Sequence, residues 1–98
     1  MFSDRDLELI KGSPYEVRQS NHHDVTLHSG LTGHDWVIVT NYAGPDCYLL
    51  HRHSAGQPYH RQRGQFGSLI EALMYIDGHE KWAVSKKERC VMFPAVEP

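Results

Sequence analysis

The apolar and polar positions near the start of the chain predict one short helix and two extended stretches. Residues 3–11 are predicted to form the helix, because Ser3 can accept a backbone hydrogen bond from its first turn and Asp6 stands three residues further on. A glycine directly after this segment ends it. Residues 15–18 and 25–28 then read as short extended segments.

The clearest strand signal lies in the middle of the chain. Residues 36–40 are aromatic and β-branched, which is typical of a short buried strand. The sequence Ala-Gly-Pro-Asp at 43–46 predicts a turn, and residues 47–53 predict a second strand after it. Together these segments predict a β-hairpin.

A helical pattern begins at residue 68. Ser68 and Glu71 have the spacing of a capping box, and the pattern predicts a main helix over 68–77 that Gly78 ends. After it, Trp82 and Val84 alternate, and residues 90–93 predict a last edge strand. The apolar stripe of the helix consists of Leu69, Ala72, Leu73 and Ile76.

These elements predict a single α+β domain over residues 1–98. We expect a small antiparallel sheet of three to four strands packed on one main helix, with the short helix at the N-terminus. One face of the sheet covers the main helix, and the other face is free to bind a partner.

Composition narrows the class of protein. With 98 residues, 40% of them hydrophobic and 22% charged, the chain fits one globular domain with a modest core. It has no apolar run of ~20 residues, and its first residues lack the apolar stretch of a signal peptide. We therefore expect a cytoplasmic protein without a membrane span, in which Cys47 and Cys90 are thiols or metal ligands rather than a disulfide. The net charge of −2 argues against non-specific nucleic-acid binding.

Histidine is enriched, with eight residues dispersed along the chain. His51 and His53 are two positions apart on a predicted strand, so both imidazoles point to one face and can reach one ion. His60 follows a proline-containing turn that can fold back over this strand, and zinc suits such a ligand set. The candidates for a fourth ligand are His34, His79 and Cys47. The alternative is that these histidines are half-exposed sheet or interface residues.

Nucleic-acid binding is the runner-up function. The segment that carries it mixes cationic and planar side chains, namely Arg52, Tyr59, His60, Arg61, Arg63 and Phe66. The order of strands followed by the aromatic and capped helix of residues 66–72 resembles the three-strand-plus-helix DNA-binding modules of plant APETALA-type factors and integrase N-terminal domains. That resemblance implies a sheet that enters the major groove. Those modules carry several basic residues on the sheet, whereas Arg52 is nearly alone here, and a solvated basic loop is the alternative.

Catalysis is the least supported class. Cys47 could pair with His51 or His53 as nucleophile and base, but the pattern supplies neither an orienting third group nor an oxyanion loop. We therefore expect a protein that is not an enzyme. Tyr42 and Tyr59 lie in polar turns and are candidates for contact with a partner.

Four segments carry a family resemblance: residues 32–36, 51–53, 58–60 and 68–76. They resemble small uncharacterised proteins of phages and mobile elements of Firmicutes. The resemblance implies an accessory gene product with a protein partner, such as an anti-CRISPR inhibitor of a host nucleoprotein. It assigns no functional residues.

Overall fold

The computed structural model describes residues 1–40, 46–62 and 64–96, with side chains as far as residue 85. The elements in chain order are α1 (Asp4–Lys11), β1 (Glu16–Ser20), β2 (Asp24–His28), β3 (Asp35–Thr40), β4 (Cys47–Arg52), β5 (His60–Arg61) and α2 (Leu69–Val96). This is the predicted α+β class, with five strands in one antiparallel sheet where the sequence predicts three to four.

Helix α1 begins as its sequence predicts. The Asp6 amide donates to Ser3 Oγ over 3.1 Å, and the Ser3 amide donates to Asp6 Oδ2 over 3.0 Å, which completes a capping box. Phe2 is buried, and its amide donates to the His22 carbonyl over 2.8 Å. These contacts tie the N-terminus to the turn between β1 and β2.

The sheet is a simple meander in which each strand pairs with its neighbours in sequence. Along β2, β3 and β4 alternate residues are fully buried, and they form the sheet side of the core: Val25, Leu27, Trp36, Ile38, Cys47 and Leu49. The outer strand β1 is polar, and a bulge lies between Val17 and Gln19 where its register with β2 shifts. At the other edge β5 has only two residues.

Helix α2 covers the buried face of the sheet. Leu69, Ala72 and Ile76 are buried against the core, and Leu73 packs partly buried beside them. The predicted packing of this stripe on the sheet is confirmed. Although α2 has 28 residues, no helix in the described part of the chain is long and apolar enough to cross a membrane.

The predicted end of the main helix at Gly78 is wrong. The helix continues to Val96, so Trp82 and Val84 are helical, and the edge strand predicted at residues 90–93 is wrong as well. An exposed glycine inside a helix reduces stability by only about 1 kcal/mol relative to alanine. The helix continues beyond Gly78, and Glu80 in its next turn is buried. Gly78 is therefore an interruption of the helix surface rather than of the helix.

Replacing Ile76 with alanine should reduce the free energy of unfolding by about 2–5 kcal/mol, because its side chain is fully buried between helix and sheet. The measurement is equilibrium denaturation in urea. Met74 on the same helix is 67% exposed, so Met74→Ala serves as the control and should change stability by less than about 0.5 kcal/mol. Equal losses in the two variants would contradict this packing.

Replacing Gly78 with alanine should raise the free energy of unfolding by about 0.5–1 kcal/mol. A Cβ atom at this position meets nothing within 4 Å, so the helix gains propensity without a clash. Thermal denaturation monitored by circular dichroism measures the change. A lower melting temperature would show that the helix needs glycine here.

Candidate metal centre

Three histidines from three parts of the fold converge between α2 and the sheet. His34 lies directly before β3, His51 lies on β4 and His79 lies on α2. Their candidate ligand atoms all lie within 4.8 Å of one another. Within the described residues this group is the candidate metal centre.

The strand register explains how two of them meet. Trp36 pairs with His51 across β3 and β4, so His34, two positions before Trp36, projects from the same face. His79 follows Ile76 by three residues and therefore points from the same side of α2 toward the sheet. The positions of all three rings thus follow from buried core residues, Trp36 on β3 and Ile76 on α2.

The distances are close to those of a coordination shell. His51 Nε2 lies 3.0 Å from His34 Nδ1. Two nitrogens bound tetrahedrally at ~2.0–2.1 Å from a zinc ion are about 3.3 Å apart, so this pair needs only a small adjustment. The most widely separated ligand atoms of the three histidines are up to 4.8 Å apart. These atoms must therefore move about 1.5 Å closer to reach the N···N distance of about 3.3 Å in a zinc site.

Burial keeps the three imidazoles neutral. Burial, together with the neighbouring His34 and His79, lowers the pKa of His51 to about 4. Burial also lowers the pKa of His34 and of His79, although Glu80 opposes the shift at both. Neutral imidazole is the form that binds metal ions, so the group is in the binding state at neutral pH.

His79 has an unsatisfied polar atom. Its Nδ1 is buried and has no hydrogen-bond partner among the residues that the structure describes. A buried nitrogen of this kind is uncommon in folded proteins and is explained where an ion takes it as a ligand. This observation supports a metal centre over a purely structural cluster of histidines.

Glu80, which the sequence analysis did not single out, lies beside the histidines and is only 4% exposed. Its carboxylate accepts hydrogen bonds from Trp36 Nε1 at 2.7 Å and from Thr32 Oγ1 at 2.6 Å. Among the described residues its ion-pair contact is with His34 Nδ1 at 3.9 Å, and the pKa of that imidazole is lowered. A buried carboxylate is costly without a nearby cation, and a divalent ion held by the histidines would supply one.

The other predicted ligands lie around this group or away from it. His53 is exposed and follows β4, and its Nδ1 lies 3.3 Å from His34 Nε2. His60 pairs with His51 across β4 and β5, but it is exposed and lies outside the converging three. The prediction names six ligands, and the structure brings together His34, His51 and His79.

Cys47 lies at the opposite end of β4 from His51. Four residues of strand separate the two by about 13 Å, too far to share an ion. The Cys47 thiol is buried and donates to the Ser68 carbonyl over 3.5 Å, and burial raises its pKa to about 11. Cys47 is therefore a core residue, and its prediction as a metal ligand is wrong. It is also too far from the histidines to act with them as nucleophile and base.

The predicted partner-binding residues are partly engaged within the fold. Arg52 Nε donates to Asp35 Oδ2 over 2.7 Å, and its guanidinium lies 4.5 Å from the centre of the Tyr59 ring. Burial would raise the pKa of Asp35, but hydrogen bonds from His28 and Arg52 outweigh it and hold the pKa below its usual value. Arg52 therefore has an internal role.

The other predicted partner-binding residues differ in outcome. The Arg61 guanidinium stacks on the Tyr48 ring at 4.5 Å, while Tyr42 and Arg63 lie outside the described residues.

Comparison of the chain with protein-family models, curated proteins and solved structures finds no match. The assignment of this site therefore rests on its geometry and chemistry.

The metal-free protein should lose stability as the pH falls from about 6.5 to about 4, because the unfolded chain takes up protons on His51 that the folded chain does not. The loss is on the order of 3 kcal/mol, since each unit of pKa shift corresponds to about 1.4 kcal/mol. Urea denaturation at several pH values in the presence of a chelator measures it.

His51→Gln should flatten this pH dependence, whereas His60→Gln, which changes an exposed histidine on the neighbouring strand, should retain it. Identical pH profiles for the wild type and His51→Gln would contradict the assignment of a buried neutral imidazole at His51.

Proposed function

We propose that this chain is a small non-catalytic module that binds one zinc ion through His34, His51 and His79. The observation that carries the proposal is the convergence of three neutral imidazoles within 4.8 Å, two of them buried, from three separate parts of the chain. The orphaned His79 Nδ1 and the buried Glu80 support it, because a cation would satisfy both.

Zinc is the ion that best suits these ligands. Imidazole nitrogen is a borderline ligand that binds zinc, copper and nickel, whereas magnesium and calcium prefer oxygen. Zinc accepts a tetrahedral shell that includes three histidines, and its filled d shell adds no electronic preference that would resist small distortions of that shell. The ion therefore adapts to the positions that the sheet and helix give the rings.

The role of the ion is to join elements that a small core holds weakly. A 98-residue chain buries a modest share of its surface on folding. Ligands before β3, on β4 and on α2 would tie the helix to the two central strands near the polar end of their interface. Metal that binds only the folded state stabilises it by mass action.

Exposed apolar residues on α2 support a role in protein interaction. Ile70 and Met74 lie four residues apart on α2 and Trp82 lies eight residues further on; they are 48%, 67% and 57% exposed. Apolar residues in contiguous rows on a surface often mark contact with another protein. An inhibitor of a host nucleoprotein, which the resemblance to phage proteins implies, stays a prediction.

Protein purified without an affinity tag or a chelator should contain about one zinc ion per chain by elemental analysis, as one tetrahedral site requires. Removal of the ion by a chelator should lower the melting temperature. At a free zinc concentration a hundredfold above Kd, the loss of stability is about 2.7 kcal/mol.

His51→Ala and His79→Ala should each remove both the zinc and the effect of the chelator. His60→Ala is the matched control, because it removes a neighbouring histidine outside the group, and it should retain both. Metal-free wild-type protein whose melting curve does not respond to zinc or to a chelator would refute the proposal.

A further inference from the structure

His53 lies next to two of the three histidines of the candidate metal centre. Its ring centre is 4.7 Å from that of His34 and 4.9 Å from that of His51, and the ring centres of His34 and His51 are 4.8 Å apart. By the same measure His79 is 5.1 Å from His51 and 6.0 Å from His34. His53 is therefore closer to these two rings than His79 is.

These spacings match those of imidazoles around a tetrahedral ion. At a Zn–N distance of about 2.0–2.1 Å each ring centre lies about 3.2 Å from the ion, and tetrahedral angles then separate the ring centres by about 5 Å. The sides of the triangle formed by His34, His51 and His53 are 4.7–4.9 Å long. The ring of His53 thus stands where a further ligand of the same ion would stand.

The nitrogen atoms of His53 need a modest rotation to reach that ion. Its Nδ1 lies 3.3 Å from His34 Nε2, whereas His51 Nε2 lies 3.0 Å from the other nitrogen of His34. Because one ion takes only one nitrogen of His34, the His53 ring must turn toward the nitrogen that faces His51. The torsion of an imidazole about its Cβ–Cγ bond is broad, and His53 is exposed, so little opposes this turn.

His53 is also within electrostatic reach of His79. Burial is the main cause that lowers the pKa of His79, and the imidazole of His53 lowers it as well. His53 therefore influences all three histidines of the candidate metal centre.

Glu80 also lies beside the group, but both of its carboxylate oxygens are engaged. Oε1 accepts a hydrogen bond from Trp36 Nε1, and Oε2 accepts one from Thr32 Oγ1. A carboxylate held in this way orients the ligands from outside the coordination shell. His53 is thus the better candidate for the fourth ligand.

We propose that His53 is the fourth ligand of this metal centre, so that four histidines close the coordination shell of the ion. The inference rests on the proposed zinc-binding function and extends it, because a zinc site with four protein ligands is structural, whereas a catalytic site keeps one position open. His53 directly follows β4, so its binding would also fix the start of the connection to β5.

The first test uses the full chain reconstituted with cobalt(II), whose visible spectrum reports the coordination of the ion. Azide should leave the spectrum of the wild type unchanged, because four histidines occupy the shell. In His53→Ala, azide should produce a saturable spectral change at equimolar stoichiometry. His60→Ala is the matched control, since it removes an exposed histidine on the neighbouring strand, and it should behave like the wild type.

A second variant tests the ligand directly. A thiolate bound to cobalt(II) gives an intense charge-transfer absorption in the near ultraviolet that imidazole does not give, so His53→Cys should show this band and the wild type should not. The loss of an outer-shell partner weakens metal binding by about 10–100-fold, so the loss of a ligand in His53→Ala should weaken cobalt binding by at least about as much. His53→Cys should restore most of that affinity.

Several outcomes would overturn His53 as the fourth ligand. They are a cobalt-loaded wild type that responds to azide, an azide response in His60→Ala but not in His53→Ala, cobalt binding by His53→Ala as tight as that of the wild type, and cobalt-loaded His53→Cys without the charge-transfer band. Failure of the wild type to bind cobalt would instead refute the zinc-binding function.

Discussion

Trp36 and His51 face each other across β3 and β4, with their ring centres 4.2 Å apart. This pair sets the register of the two central strands, and a slip of one residue would move every side chain of one strand to the other face. His34 reaches His51 only because it stands two residues before Trp36. Glu80 is fixed by the indole nitrogen of the same tryptophan. The positions of the candidate metal ligands therefore depend on how β3 and β4 pair.

The buried face of the sheet changes character along its length. Near Cys47, Ile38 and Leu49 it is apolar, and Leu69 and Ala72 of α2 lie buried in the same core. Toward His51 it becomes polar, and the next turns of α2 bring His79 and Glu80 instead of aliphatic side chains. Apolar packing holds the first turns of the helix on the sheet. It thereby positions His79 and Glu80 in the later turns, where there is little apolar packing. Such a division lets a small domain keep a buried cluster of polar side chains without giving up its core.

The sequence predicted the class of fold and four of the five strands to within two residues, because alternation and capping are local signals. It also placed His51 and His53 on one side of a strand. It could not place His34 and His79, since their meeting depends on the register between strands and on the rotation of a helix over a sheet. Gly78 misled the prediction because a glycine that ends a helix and a glycine that interrupts its surface look alike in sequence. Glu80 has the helical spacing of the apolar stripe, but a charged residue there reads as exposed until Trp36 is seen to bind it.

The two edge strands of the sheet are more polar or shorter than its central strands, which matters when the helix loosens from the sheet. Strand β1 is polar and exposed along most of its length and carries a bulge, and β5 is only two residues long. Neither offers the long flat row of free amides and carbonyls on which strands of other molecules add. Loosening of the helix from the polar end of the sheet would therefore expose side chains but no template for cross-β growth. Chains in which this end of the helix has loosened should therefore stay dispersed in solution instead of adding to one another strand by strand.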